Sequence, residues 1–240
     1  MNRKIGIGHN QPKKRKKKNI VKKIKKKKFS NNLFSEDQKS QIISTVLEYV
    51  NDHTKLLNDT YYKNNEVLED KIKKNILNNL EKVIVNNEKR TTFPDELTSI
   101  YLEDYYNHKK KDRNLFIKAY ADQKQAEMKI GNLLELYIQK ICFDDGWCFT
   151  GTTVKDVDFI KKRENEWESY QIKLSDNTEN NAGKKVRHGT EIKIWQRRIS
   201  KKKDAYYWES LPDEDIKGKL SESKFRTFIK NYFINITEVN

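Results

Sequence analysis

Three polar side chains, Asp158, Gln171 and Lys173, have types and a spacing that could hold a metal ion and a water against a phosphate. A carboxylate oxygen is a ligand that the hard cation Mg²⁺ prefers. A bound metal lowers the pKa of its water, and an ammonium group neutralises charge that develops at the phosphate. These residues therefore indicate metal-dependent cleavage of a phosphodiester.

The runs VKDVDFI and WESYQIK are predicted to form neighbouring strands whose side chains alternate between two faces. Asp156 and Asp158 then share one face of the first strand, and Gln171 and Lys173 share one face of the second. Pairing that is symmetric about the polar link 161–166 sets Asp156 opposite Gln171, whereas a shifted register favours Asp158. Both registers place carboxylates beside the amide and the ammonium group.

A further carboxylate, Glu135, lies on the helix predicted just before these strands. The candidate metal ligands are therefore Asp158, Glu135 and Asp156. Each of them could instead be a solvent-exposed charge without a role in metal binding, because charged residues commonly cover the solvent face of a strand or helix.

Hydrophobic periodicity predicts a helical N-terminal half followed by short strands and further helices, which is an α/β or α+β fold. A capping-box pattern starts the first helix at Ser35, and another helix runs from about Asn114 to Cys142. The predicted strands are Trp147–Thr150, Val154–Ile160, Trp167–Leu174 and Tyr206–Glu209, and the later predicted helices are Thr190–Ile199 and Ser221–Phe233.

The segment that follows the second predicted strand is dense in amides, hydroxyls and bases. Such groups bind phosphates and base edges. Thr190 is predicted to cap the helix after it, whose N-terminus would itself favour an anion. The candidate nucleic-acid contacts are Asn177, Thr178, Asn180, Lys184, Lys185, Arg187 and Thr190.

The net charge of +15 is concentrated at the N-terminus. Residues 1–28 hold 14 of the 50 basic residues and no acid, which leaves 36 bases against 35 acids in the remainder. A lysine-rich block repels itself and buries no apolar surface, so residues 1–33 are predicted to be a disordered tail. It is either a solvated, compositionally biased segment or a tether for non-specific contact with DNA.

Cysteine content and hydropathy narrow the class of protein. The two cysteines cannot build a disulfide framework or a four-ligand zinc site. No apolar run approaches the 18 residues of a transmembrane helix, and the N-terminus lacks the apolar region of a secretory signal. We therefore expect a cytoplasmic protein, prokaryotic or phage-encoded, with no membrane partner.

Several motifs between about residues 130 and 200 resemble a known family. They are E-x-Y-I, G-W-x-x-T-G, V-K-D-V-D-F-I, Y-Q-I-K, S-D-N-T-E-N and V-R-H-G-T-x-I-x-x-W. This series resembles type II restriction endonucleases of the PD-(D/E)xK superfamily, and more narrowly the SinI-type restriction enzymes. The D…QxK core is weakly specific, whereas the V-R-x-G-T block is more specific.

The resemblance implies a mixed sheet flanked by helices and a Mg²⁺-dependent homodimer that cleaves double-stranded DNA at a short palindromic site, of GGWCC type. It maps the metal-binding acid to Asp158 and the catalytic lysine to Lys173. Gln171 stands where the superfamily commonly has Asp or Glu, and Glu135 or Asp156 would compensate for the lost charge. The chain would then divide into a basic tail (1–33), a helical region (34–125) and a nuclease core (126–240).

Two other functions fit the same residues. One is a repair or recombination nuclease of the phage type in the same superfamily, for which the unusual N-terminal arm is the main argument. The other is a DNA-binding protein without catalysis, in which the tail and the basic loop bind and the D…QxK face is incidental.

Overall fold

The computed structural model describes residues 33–64, 66–81, 95–176 and 191–237. The helices are α1 (Glu36–Asp52), α2 (Glu69–Leu80), α3 (Glu96–Asp104), α4 (Arg113–Cys142) and α5 (Glu222–Thr237). The strands are β1 (Tyr62–Lys63), β2 (Glu66–Val67), β3 (Cys148–Phe149), β4 (Phe159–Arg163), β5 (Glu166–Lys173) and β6 (Lys193–Gln196).

The first helix begins where the capping pattern predicts. The Ser35 hydroxyl accepts a hydrogen bond from the Gln38 N–H at 3.2 Å, and the Gln38 side chain accepts one from the Ser35 N–H at 2.9 Å. These bonds satisfy two donors that a helix start leaves free. The predicted helices around α1, α4 and α5 are confirmed, and α4 runs without a break across residue 125.

A four-stranded mixed sheet holds the centre of the fold, in the order β3-β4-β5-β6. The first three strands are antiparallel, and β6 runs parallel to β5. β1 and β2 form a separate antiparallel pair. The predicted mixed α+β fold is therefore confirmed.

The prediction of a helix over Thr190–Ile199 is wrong. Residues 193–196 form β6, where Ile194 pairs with Gln171 and Trp195 with Ile172. Trp195 is buried and Ile194 is 48% exposed, which is the alternation of a strand. A short run of apolar and β-branched residues fits both periods, and pairing with β5 decides between them.

Two other predicted strands differ from the structure. Val154–Ile160 is extended only from Phe159 onward, because the residues before it form a turn-rich loop. The segment Tyr206–Glu209 contributes one isolated bridge before the 3-10 helix Trp208–Ser210. Both segments contain residues that favour strands, but neither segment pairs with a neighbouring strand along its whole length.

One hydrophobic core joins the N-terminal helices to the sheet. It extends from Phe34 at the start of α1 to Tyr232 on α5 and includes buried residues of α2, α4 and the sheet. The Tyr49 hydroxyl on α1 also bonds the Ser169 hydroxyl on β5 at 2.8 Å. Among the described residues, none of the helices combines the length and apolar character needed to span a bilayer.

A buried carboxylate anchors β4 from the C-terminal part of the chain. Asp213 accepts hydrogen bonds from the Trp147 indole at 2.7 Å, the Lys161 ammonium at 2.8 Å and the Arg163 guanidinium at 2.5 Å. Burial alone would raise the pKa of Asp213, but the bonds from Lys161 and Trp147 outweigh it and hold the pKa below its ordinary value. Asp213 is therefore an ionised structural partner that fixes the strand next to the candidate site.

Candidate functional site

The β4–β5 hairpin brings the candidate residues together. Its two-residue turn at 164–165 sets the pairing of Phe159 with Tyr170, and one step beyond this pair lie Asp158 and Gln171. The Asp158 N–H donates to the carbonyl of Tyr170 at 2.8 Å. Of the two registers that the sequence leaves open, the structure adopts the one that sets Asp158 at the level of Gln171.

The carboxylate of Asp158 is tied to β5. Its Oδ2 accepts a hydrogen bond from the Ile172 N–H at 2.7 Å. Burial has the largest effect on Asp158 and raises its pKa to about 6. The Ile172 N–H and the charge of Lys173 lower this pKa by a smaller amount, and the nearby Asp156 raises it further. A cation bound beside Asp158 would offset the cost of burying this negative charge and would favour the ionised carboxylate.

Asp156 also reaches the site, although not from a strand. It has a left-handed backbone with φ of 56°, a conformation that Asp tolerates better than most residues. Its Oδ1 accepts a hydrogen bond from Nε2 of Gln171 at 3.2 Å. A glutamate in place of Gln171 would face this carboxylate with a like charge, so the pair explains in physical terms why the amide suits position 171.

Lys173 completes the group at the end of β5. Its charge acts on Asp158, and strand alternation places it on the same side of β5 as Gln171. Gln171 is 4% exposed and Lys173 is partly exposed. Lys173 is therefore more accessible to a phosphate than Gln171 is.

The third candidate metal ligand, Glu135, lies on α4. In the ranges that are described, no set of three or more His, Cys, Asp or Glu side chains lies close enough to hold a metal ion. Asp158, Asp156 and Glu135 therefore do not form a three-carboxylate centre. Glu135 is partly buried on α4 and has an interaction partner, and its role as a ligand stays a prediction.

Glu168 is the acid on β5 itself, but it serves a different network. It accepts hydrogen bonds from Arg163 at 2.7 Å, from the Tyr170 hydroxyl at 2.6 Å and from Lys193. Burial would raise the pKa of Glu168, but the bonds from Lys193 and Tyr170 bring it to about 2. Its charge is thus already neutralised within the sheet.

The predicted nucleic-acid contacts lie outside the described residues. These are Asn177, Thr178, Asn180, Lys184, Lys185, Arg187 and Thr190. The helix that Thr190 was predicted to cap is not present, since the chain enters β6 at Lys193. An anion site at that helix N-terminus is therefore ruled out, and the contacts stay predictions.

Sequence patterns also missed the residues that hold Asp156 and Asp158 in place. Thr150 donates its backbone N–H to the carbonyl of Asp158 at 3.0 Å and its hydroxyl to the carbonyl of Val157 at 2.5 Å. Thr150 is fully buried. The motif G-W-x-x-T-G contains Thr150, but it does not show this role, because the role depends on how the loop folds.

A mixed sheet with a carboxylate, an amide and a lysine at the junction of two antiparallel strands is consistent with an α/β nuclease fold. The model of the SinI restriction endonuclease family matches residues 15–235. The chain therefore belongs to the SinI restriction endonuclease family, as its motifs predicted.

Two curated relatives support this assignment. The type II restriction enzyme Eco47I of Escherichia coli is 40% identical over 149 residues, and the type II restriction enzyme SinI of Salmonella infantis is 37% identical over 149 residues. Each alignment covers 61% of this chain and 64% of the relative. The chain thus matches just under two thirds of the length of each relative.

The pKa of Asp158 predicts a stability change with a definite sign. Its folded-state pKa, about 6, lies above the ordinary 3.8, so this group makes the protein less stable as the pH rises from about 4 to 6. Without divalent ions, Asp158→Asn should raise the free energy of unfolding by about 1 to 3 kcal/mol at pH 7.5. Urea unfolding at several pH values should show this gain vanish near pH 4.

Asp176→Asn is the matched control. The backbone N–H of Ser200 lowers the pKa of Asp176. Loss of the Asp176 carboxylate should therefore reduce the free energy of unfolding at pH 7.5, which is opposite to the effect of Asp158→Asn. A gain in Asp158→Asn that stays constant with pH would contradict the burial of this charge.

Proposed function

We propose that the chain is a Mg²⁺-dependent endonuclease that cleaves double-stranded DNA at a short, palindromic site, acting in the cytoplasm of a bacterium. The observation that supports it most is the meeting of Asp158, Asp156, Gln171 and Lys173 at one end of the β4–β5 hairpin. Membership of the SinI family supplies the class of activity.

The donor set fits a hard divalent cation. Oδ2 of Asp158 accepts a hydrogen bond from the Ile172 N–H, which leaves Oδ1 for a cation, and the carboxylate of Asp156 accepts a hydrogen bond from Gln171. All of these ligands would be oxygen atoms, as Mg²⁺ prefers. A cation bound there would polarise the scissile phosphate and lower the pKa of a bound water.

Each residue has a separate task in this proposal. Asp158 holds the cation beside the sheet, and Asp156 supplies the negative charge that the superfamily usually carries at position 171. Gln171 fixes Asp156 through its amide. The ammonium group of Lys173 orients the attacking water and neutralises charge that develops on the phosphate.

A different segment would recognise the bases of the target DNA. We assign this recognition to residues 177–190, whose amides and bases suit base edges and phosphates. In the sequence this segment lies between β5, which ends at Lys173, and β6, which begins at Lys193 opposite Tyr170. A target of GGWCC type follows from the family resemblance and belongs to the same proposal.

The proposed site predicts the effect of two substitutions. Asp158→Ala and Lys173→Ala should each reduce Mg²⁺-dependent cleavage of duplex DNA by at least about 10²-fold, because each removes a group that acts on the transition state. Duplex binding measured in Ca²⁺ should stay within about threefold of the unmodified protein, since most of the proposed phosphate and base contacts belong to residues 177–190.

Lys162→Ala is the matched control, since Lys162 lies on β4 and pairs with Glu48 on α1. It should cleave normally. Cleavage by the Asp158 or Lys173 variant at the rate of this control would refute the site. Nicked or branched DNA cut in preference to intact duplex would favour a repair nuclease, and binding without cleavage in any divalent ion would favour a DNA-binding protein.

A palindromic target calls for two copies of the chain, since a two-fold symmetric protein matches a two-fold symmetric site. We assign the contact to residues 95–130, named here the aromatic arm. In this arm α3 buries only Ser99, and residues 113–130 of α4 bury only Ala121, whereas the end of α4 lies in the core. The arm thus has almost no core of its own.

Large apolar side chains cover the arm. Tyr101 and Tyr105 stack with ring centroids 4.9 Å apart, and Tyr106 meets Tyr105 edge-on at 5.0 Å. All three are more than half exposed, as are Leu97 and Leu115. A contiguous exposed apolar patch marks an interaction surface, and tyrosine is enriched in such surfaces.

The charges of the arm favour a second copy over DNA. Residues 95–104 carry four acids and no base, whereas residues 109–118 carry five bases and one acid. A two-fold contact that sets one segment against the other would pair opposite charges twice. The acidic segment would repel a phosphate backbone.

This surface predicts the oligomeric state. The unmodified protein should have about twice the chain mass of 28.7 kDa in light scattering, and a variant with serine at Tyr101, Tyr105 and Tyr106 should have the mass of one chain. Serine at the exposed Tyr62 and Phe233 is the control and should leave the dimer intact.

Two results would contradict the assignment. One is a triple variant that remains dimeric, and the other is an unmodified protein that is monomeric at micromolar concentration. A triple variant that stays dimeric but loses DNA affinity would identify the arm as a DNA surface instead.

A further inference from the structure

The loop of residues 150–158 carries both proposed acids, and the N-terminal half of the chain holds it. The Lys155 N–H donates to the carbonyl of Leu56 at 2.8 Å, and the Asn58 N–H donates to the carbonyl of Thr153 at 2.9 Å. Val154 forms an isolated antiparallel bridge with Leu57. Residues 56–58, between two short 3-10 helices, therefore pair with residues 153–155 of the loop.

Helix α2 holds the same loop through side chains. Nδ2 of Asn75 donates to the Thr153 hydroxyl at 3.0 Å, and the Thr152 hydroxyl donates to Oδ1 of Asn75 at 3.1 Å. Nδ2 of Asn79 donates to the same Oδ1 at 3.0 Å. Thr153 is fully buried, so loss of its partner would leave a polar group inside the protein.

The loop backbone lies directly against these amides at Gly151. Gly151 has φ of 62°, and a Cβ built there would lie 2.9 Å from Nδ2 of Asn75 and 3.1 Å from Nδ2 of Asn79. A side chain at this position would displace the Asn75 amide, and the positive φ is one that residues with a Cβ rarely adopt. Gly151 therefore lets the loop approach the two asparagine side chains of α2.

The backbone of the loop is strained at Asp156, which this contact helps to hold in place. Asp156 holds φ of 56°, a conformation that costs on the order of 1 kcal/mol or more and persists where surrounding structure imposes it. On one side of Asp156, the loop is fixed to α2 and to the segment after α1. On the other side, Asp158 is fixed to Thr150 and Ile172.

We propose that Asn75 is a positioning residue for the metal site. It acts through Thr152 and Thr153 to set where the loop presents Asp156 and Asp158 to β5, and it touches neither the cation nor the phosphate. The N-terminal helical half is then part of the nuclease site. This inference rests on the proposed function, since it takes those two acids as the ligands.

The test measures Mn²⁺ binding directly, by electron paramagnetic resonance of the free ion, in full-length protein. Asn75→Ala should weaken Mn²⁺ binding at least about tenfold, the range found when a partner that orients metal ligands is lost. Asn78→Ala is the matched control, since Asn78 is an exposed asparagine of the same helix. It should bind Mn²⁺ like the unmodified protein.

Gly151→Ala disturbs the same contact from the loop side and carries the test if Asn75→Ala does not fold. It should weaken Mn²⁺ binding in the same range. Duplex binding in Ca²⁺-free buffer should be unchanged in both variants, which separates displacement of the loop from general unfolding.

The outcomes distinguish this inference from the proposed function. Normal Mn²⁺ binding by folded Asn75→Ala or Gly151→Ala protein would overturn the positioning role and leave the metal site standing. Equal losses in Asn75→Ala and Asn78→Ala would also overturn it, since they would show a stability effect alone. An unmodified protein that neither binds Mn²⁺ nor cleaves duplex DNA would overturn both proposals.

Discussion

The hydrogen bond from the Ile172 N–H to the carboxylate of Asp158 is the contact on which the site depends. It joins the loop that follows β3 to the C-terminal end of β5, and so fixes an acid beside Gln171 and Lys173. Asp158 is also buried, and this burial raises its pKa to about 6 although the Ile172 N–H acts in the opposite direction. The cost of a buried carboxylate is what a bound cation would offset.

Support for this contact comes from parts of the chain far apart in sequence. Asp213 holds β4 from the C-terminal part of the chain through Lys161 and Arg163. Asn75 holds the loop from the N-terminal side, and one core joins α1 and α2 to the sheet. Helices α1 and α2 are thus packed against the sheet.

The sequence predicted those parts of the fold that depend on local periodicity. The capping box at Ser35 and the apolar stripe of α4 needed no tertiary information, and strand alternation in β5 placed Gln171 and Lys173 together. The strand β6 could not be predicted, because its short apolar run becomes a strand only by pairing with β5. The left-handed turn at Asp156 was equally hidden, since distant hydrogen bonds fix the loop.

The most direct test of the account is a charge exchange between Asp156 and Gln171. Cleavage of unmethylated phage DNA in Mg²⁺ should fall at least about tenfold in Asp156→Asn, which removes a ligand charge, and in Gln171→Glu, which sets two carboxylates against each other. The double variant restores one acid and one amide, and should recover to within a few-fold of the unmodified protein by the logic of a double-mutant cycle. A double variant no more active than Asp156→Asn alone would contradict the claim that Asp156 takes the place of the missing acid.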